Sequence, residues 1–175
     1  MTEVLEVTTN KMNSSSYLCR VNITQMKSIK TIILLAVVFI LFSCQDNQKT
    51  DIKFIESTVE SRKNAPFSDA VEVNGLLFLT GQIAKDHTTG KLVDGGIEAE
   101  TKQVLNNIKD VLEANGSDMK HIIKCTVILS DINDFKKMNK VYRTFFTDNK
   151  PARTTFAADL VPGAKIEIEV VAAKK

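Results

Sequence analysis

Arg153, Glu167 and Glu169 are the residues of this 175-residue sequence whose types and spacing most directly suggest chemistry. They fall in two alternating segments, Arg153–Asp159 and Lys165–Ala172, separated by Val161-Pro162-Gly163-Ala164. Pro-Gly at the centre of a turn suits type II, with glycine taking the positive φ, so the segments are expected to form a hairpin. Alternation then puts Ile166, Ile168, Val170 and Ala172 on one face with Phe156 and Ala158. Lys165, Glu167 and Glu169 share the other face with Arg153, Thr155 and Ala157. Cross-strand neighbours on one face interact, so a guanidinium and two carboxylates are gathered. A planar guanidinium offers two parallel N–H donors to a carboxylate, and a carboxylate beside a bound water can take its proton. The same pattern equally describes a solvated cross-strand salt bridge. Alternation alone does not choose between them.

Other chemistries have less to work with. Cys125 sits in the apolar run Ile122–Leu129 and reads as a buried thiol. As a nucleophile it would need an oriented base, and nothing orients the nearby His121. Two histidines and no Cys-x-x-Cys pair leave no ligand set for zinc, so no metal is expected. A net charge of +2, no tryptophan and two tyrosines supply neither a concentrated basic patch nor base-stacking platforms. A nucleic-acid partner is therefore not expected.

The elements that must position these residues follow from periodicity. Lys53–Ser57, Ala70–Val73 and Leu76–Thr80 read as strands, the last two joined by Asn74-Gly75, the strongest short hairpin signal in the chain. Ile97, Thr101, Val104, Leu105, Ile108, Val111 and Leu112 recur at helical spacing, and Gly116 suits the left-handed residue that closes a helix. Ile122–Leu129 is rich in β-branched residues and predicts a strand. A second helix is expected from Asp131, burying Phe135, Met138, Tyr142, Phe145 and Phe146 before Asn149-Lys150-Pro151 ends it. With the closing hairpin the order is β-β-β-α-β-α-β-β. That predicts a two-layer α+β domain over residues 53–175, with both helices on one face of a mostly antiparallel sheet.

The preceding residues read as an address. Lys27 and Lys30 precede Ile32–Phe42, eleven apolar residues, too short to span a bilayer comfortably and right for a signal peptide over residues 26–43. Leu41-Phe42-Ser43-Cys44 resembles the bacterial lipoprotein cleavage box, with Cys44 the lipidated residue. A buried helix or an uncleaved anchor is the alternative. Residues 44–52 then form the lipidated cysteine and a polar tether, and residues 1–25 an over-called start or an unstructured stretch. Cleavage would leave Cys125 as the sole free thiol, with no disulfide. On this reading the protein is a lipid-anchored or periplasmic protein of the cell envelope, its membrane contact made through the lipid alone.

Several separated segments match one family. Pro151-Ala152-Arg153-Thr154-Thr155-Phe156 with Ile166-Glu167-Ile168-Glu169-Val170-Val171-Ala172 resembles the signature of the RidA (YjgF) family of enamine/imine deaminases, also labelled L-PSP endoribonucleases. Leu79-Thr80-Gly81-Gln82-Ile83, the Gln103–Leu112 helix with Gly116, and Lys124-Cys125-Thr126-Val127 resemble further family segments, in family order. Asp134-Phe135 followed by Asn139, Tyr142 and Phe145-Phe146 does so too, and the likeness spans Phe54–Ala173. The resemblance implies a chorismate-mutase-like fold and homotrimers whose sheets line the centre, with active sites in the clefts between subunits. It implies cofactor-free hydrolysis of reactive 2-imino or enamine acids, such as 2-aminoacrylate, to a 2-keto acid and ammonia. Arg153 would clamp the substrate carboxylate and Glu167 would activate water. Backbone groups at Gly81 and Thr155 would contact substrate, and Thr80 and Asn139 would line the pocket. Phe67 stands where the family often has tyrosine, which bears on substrate preference, and Thr155 stands where many members have cysteine. The Arg153-to-Glu167 spacing is one residue shorter than in the commonest pattern. A non-catalytic binder of small keto acids and an RNA-cleaving translation inhibitor are the competing functions; most relatives are cytoplasmic, which is the alternative location.

Overall fold

The computed structural model describes residues 50–175, apart from the Ser61 side chain. The expected over-called start over residues 1–25, the signal peptide, Cys44 and tether residues 45–49 lie outside the described residues, while Ile52, expected in the tether, begins the first strand. Within them, seven strands form one sheet: β1 (Ile52–Ile55), β2 (Ala70–Val73), β3 (Leu76–Leu79), β4 (Gln82–Ile83), β5 (Ile122–Leu129), β6 (Ala152–Ala157) and β7 (Ile166–Ala173). Two helices, α1 (Gly96–Ala114) and α2 (Phe135–Phe145), complete the α+β arrangement expected from the periodicity.

The local chemistry explains the boundaries. Asn74 and Gly75 both take positive φ, 49° and 75°, as a two-residue hairpin loop requires, and β2 pairs β3 in register from Val73–Leu76 outward. Gly116 closes α1 at φ 75°, while the Ser117 N–H donates to Leu112 O at 2.9 Å. Asp131 caps not α2 itself but a 3-10 turn, Ile132–Asp134, accepting from the Asn133 N–H at 2.9 Å; α2 proper begins at Phe135. Strand β4 was not anticipated, because two residues carry no periodicity. It is pinned from α1, where the buried Asn107 donates to Ile83 O at 3.2 Å and Lys85 O at 2.9 Å.

The core lies between the helices and one sheet face. Leu77, Val127, Leu129, Ile166, Ile168 and Ala172 from the sheet meet Val104, Leu105, Ile108 and Leu112 from α1 and Met138 from α2, all fully buried. The closing-hairpin expectation is wrong. The strand order is β1-β2-β3-β7-β5-β6, so β5 lies between β6 and β7. Strand β6 runs parallel to β5 and β7 antiparallel to it. The connecting segment steps around the end of β5: the Ala158 N–H donates to Leu129 O and the Ser130 N–H to Lys165 O, both at 3.0 Å. The Val161–Ala164 turn exists, with Gly163 at φ 90° and the Ala164 N–H donating to Val161 O at 3.1 Å. It is one bend in a longer link, long enough to cross two strand spacings of about 4.8 Å each.

The facing of β6 changes with it. In-register neighbours point to the same side of a sheet. Arg153 and Thr155 pair with Cys125 and Val127, which pair with Val170 and Ile168 on the helix-covered side. Arg153 and Thr155 therefore share the face of the apolar set, whereas Thr154 and Phe156 share the open face with Glu167 and Glu169. The expected grouping of Arg153 with Glu167 on one polar face is overturned. Phe156 misled it: β6 is an edge strand, and its phenylalanine stays 43% exposed instead of entering the core.

Candidate functional site

Two cavities divide the Arg153–Glu167 pair between them, one residue in each. The first, about 520 Å³, is bounded by Glu167, Thr80, Gly81 and Phe67. It exists because β7 changes partner along its length, from β3 at Phe78–Val171 to β4 at Ile83–Glu167, leaving Thr80-Gly81 as a break between two short strands. The Glu167 carboxylate lies against Gly81 so closely that a Cβ there would collide with Oε1 and stand 2.9 Å from Cδ. Gly81 is thus required for close approach and not for an unusual backbone angle.

The opposite wall of this cavity is held by a network absent from the sequence reading. Arg62 and Asp69 form an ion pair at 2.7 Å, their side chains 15% and 9% exposed. Arg62 Nη1 also donates to Gln82 Oε1 at 2.8 Å, and Gln82 Nε2 donates to Thr80 O at 3.3 Å. The guanidinium lies 5.7 Å from the centre of the Phe67 ring. One arginine thereby ties the segment carrying Phe67 to the strand break beneath Glu167. No local pattern marks it, since the partners lie seven and twenty residues away.

The second cavity, about 500 Å³, is bounded by Arg153, Tyr142 and Asn139. Arg153 stacks over the Tyr142 ring at 4.5 Å and lies 5.7 Å from the Phe135 ring, a cation–π arrangement that fixes a long side chain. Tyr142 and Phe135 come from α2 and Arg153 from β6, so the clamp arises where the helix packs beside the sheet edge. Tyr142 read as a core residue in the helical stripe, and it is one, yet its upper ring face is the platform for Arg153. Its hydroxyl is buried beside the Cys125 thiol and Arg153 without a well-formed hydrogen bond. Burial first, and Cys125 second, push that hydroxyl well above its ordinary range, so it remains a neutral donor. Cys125 is fully buried, and burial pushes its thiol up as well, which suits packing and not nucleophilic attack. Thr155 lies on the Arg153 face with a buried hydroxyl that has no partner. Cys44 is outside the described residues.

Phe67, Thr80, Gly81 and Glu167 thus line one cavity and Asn139 and Arg153 the other, Thr155 lines neither, and Arg153 and Glu167 do not share one. They lie on opposite faces of the sheet, with β5 between their strands. Among the described residues, no group of three His, Cys, Asp or Glu side chains gathers where it could hold a metal ion.

The endoribonuclease L-PSP family model matches residues 58–174, and the chain belongs to that family. The human 2-iminobutanoate/2-iminopropanoate deaminase is 44% identical over 108 residues, covering 61% of this chain and 79% of the human protein. The mouse 2-iminobutanoate/2-iminopropanoate deaminase is 38% identical over 121 residues, 69% of this chain and 90% of the mouse protein. Among solved structures, a putative endoribonuclease from Thermotoga maritima superimposes with a TM-score of 0.66 at 40% identity, over 70% of this chain and 98% of its own.

Proposed function

We propose that this protein hydrolyses small 2-imino acids to 2-keto acids and ammonia, without a cofactor, at sites shared between copies of a homotrimer. The named activity of the human and mouse relatives supports the reaction. The observation that carries the shared site is the division of Arg153 and Glu167 between two cavities. Each cavity holds half of what the chemistry needs. Arg153, braced on Tyr142 and Phe135, offers a bidentate grip for a carboxylate. Glu167, set over Gly81, offers a base for water. The open sheet face supplies the means of association, since Phe54, Phe78 and Phe156 stand 68%, 42% and 43% exposed.

The chemistry follows from these parts. Arg153 of one copy takes the substrate carboxylate, which puts the adjacent imine carbon against Glu167 of the next. Glu167 accepts a proton from water while the water oxygen bonds to the imine carbon and the C=N π pair moves to nitrogen. Glu167 returns that proton to nitrogen, giving a carbinolamine, and then relays the proton of the added hydroxyl to nitrogen as the C–N bond breaks, so that ammonia leaves and the oxygen forms the carbonyl. No electrons enter or leave overall.

The test is complementation. Arg153→Ala and Glu167→Gln should each slow consumption of 2-iminobutanoate, generated in place from 2-aminobutanoate by an amino-acid oxidase, by about 10² or more. Co-refolded in equal amounts, the two inactive variants should regain about a quarter of the wild-type rate, the fraction of mixed interfaces carrying both intact residues. No recovery from properly assembled mixed oligomers would refute the shared site. Unimpaired single variants would refute the chemistry.

A further inference from the structure

The Arg153 cavity carries more positive charge than one carboxylate can use. Three charged residues bound it, Arg143, Lys150 and Arg153, and all three are cations. Arg143 directly follows Tyr142 on α2, and Lys150 immediately precedes Pro151 in the link from α2 to β6. Both are exposed. Among the described residues none of the three enters an ion pair, although seven other pairs form. The contrast with the other cavity is direct, because its buried arginine, Arg62, is already neutralised by Asp69 at 2.7 Å.

Like charges that converge on a concave wall without an acid repel one another and raise the local concentration of anions. Arg153 is the inner group, half-buried and immobilised on Tyr142; Arg143 and Lys150 form the outer rim. A monocarboxylate held bidentately by Arg153 leaves both rim cations unanswered. The volume of about 500 Å³ lies in the range of ligands much larger than a four-carbon imino acid.

We propose that Arg143 and Lys150 form a second anion subsite beyond Arg153, and that the preferred substrates are dicarboxylic 2-imino acids, the imines of acidic amino acids. The inference rests on the imine-hydrolase reading and specifies its substrate class. Arg153 takes the carboxylate next to the reacting carbon. The side-chain carboxylate reaches the rim, where Lys150 contributes a mobile ammonium and Arg143 a planar fork. The hydrolytic step is unchanged: water adds to the imine carbon, ammonia departs, and a 2-keto diacid results.

The measurement is a ratio. Imines are generated in place by amino-acid oxidases from glutamate and from 2-aminobutanoate, and kcat/KM is determined for each with the full chain. The wild-type protein should favour the glutamate imine. Arg143→Glu combined with Lys150→Glu should lower the ratio about tenfold, as two exposed charge pairs contribute a few-fold each, and added salt should lower it in the wild type. Arg143→Lys combined with Lys150→Arg, which keeps the charge, should largely retain it. Both positions are exposed, so folding is checked simply by matching circular dichroism. Turnover of the 2-aminobutanoate imine with no preference for the diacid, or a ratio indifferent to charge reversal, overturns the subsite and leaves imine hydrolysis standing. Failure to consume either imine removes the parent reading, and the subsite with it.

Discussion

Gly81 and Glu167 show how a single missing carbon can seat a carboxylate, here the one proposed as the base. The carboxylate occupies the space a Cβ would fill, and the Gly81 backbone angle is not one reserved for glycine. Gly81→Ala should therefore fold, displace the Glu167 carboxylate by about an ångström, and lower kcat/KM on 2-iminobutanoate by about 10²-fold, as misplacement of that size does. Unchanged kinetics in a variant with native circular dichroism would show that the carboxylate's seat is immaterial. Sequence made Gly81, Glu167 and Arg153 visible as residues. It did not reveal their mutual geometry, because the phase of β6 was set by Phe156, an apolar residue that lies on the open side. Nor did it reveal Arg62 and Asp69, whose pairing across Pro66 depends on how β2 returns against β1 and not on any local spacing.

At the scale of elements, long amphipathic stretches were legible and neighbour relations less so. Alternation in β7 correctly assigned Ile166, Ile168, Val170 and Ala172 to the core, yet alternation says which face a residue takes and not which strand lies beside it. Hence β5 could slip between β6 and β7 without altering any pattern in the sequence. The same strand is anchored at its start by Asp118. Its carboxylate meets Lys175 Nζ, His121 Nδ1 and the Lys120 N–H, each at 2.8 Å. Lys175 first, then His121, hold Asp118 well below the usual carboxylate range. A carboxyl depressed in the folded state stabilises it fully above the unfolded value, near pH 4, and loses that contribution as pH falls. Stability against urea should thus decline below about pH 5, and Asp118→Asn should flatten that decline. An identical acid limb in the variant would mean that the cluster carries no linkage.

Among the described residues, one sheet face is buried under α1 and α2 and the other is open. On that open face Phe54, Val71, Phe78 and Val171 lie in one row across four strands, by the pairing of β1 with β2, β2 with β3, and β3 with β7. A row of this kind is an association surface more readily than a solvated one. Phe78→Lys should convert the proposed trimer to monomer in sedimentation velocity and, with the sites divided between copies, abolish imine hydrolysis together with assembly. A monomeric variant that retained full activity would break that connection.

The separation of Arg153 from Glu167 by the thickness of the sheet has a thermodynamic corollary. No side-chain rotation within one chain can bridge them, so any small molecule gripping both acts as a clasp between neighbours. By linkage, what the ligand gains from the oligomer the oligomer gains from the ligand. A tight substrate mimic should accordingly hold the proposed oligomer together at dilutions where the empty protein comes apart.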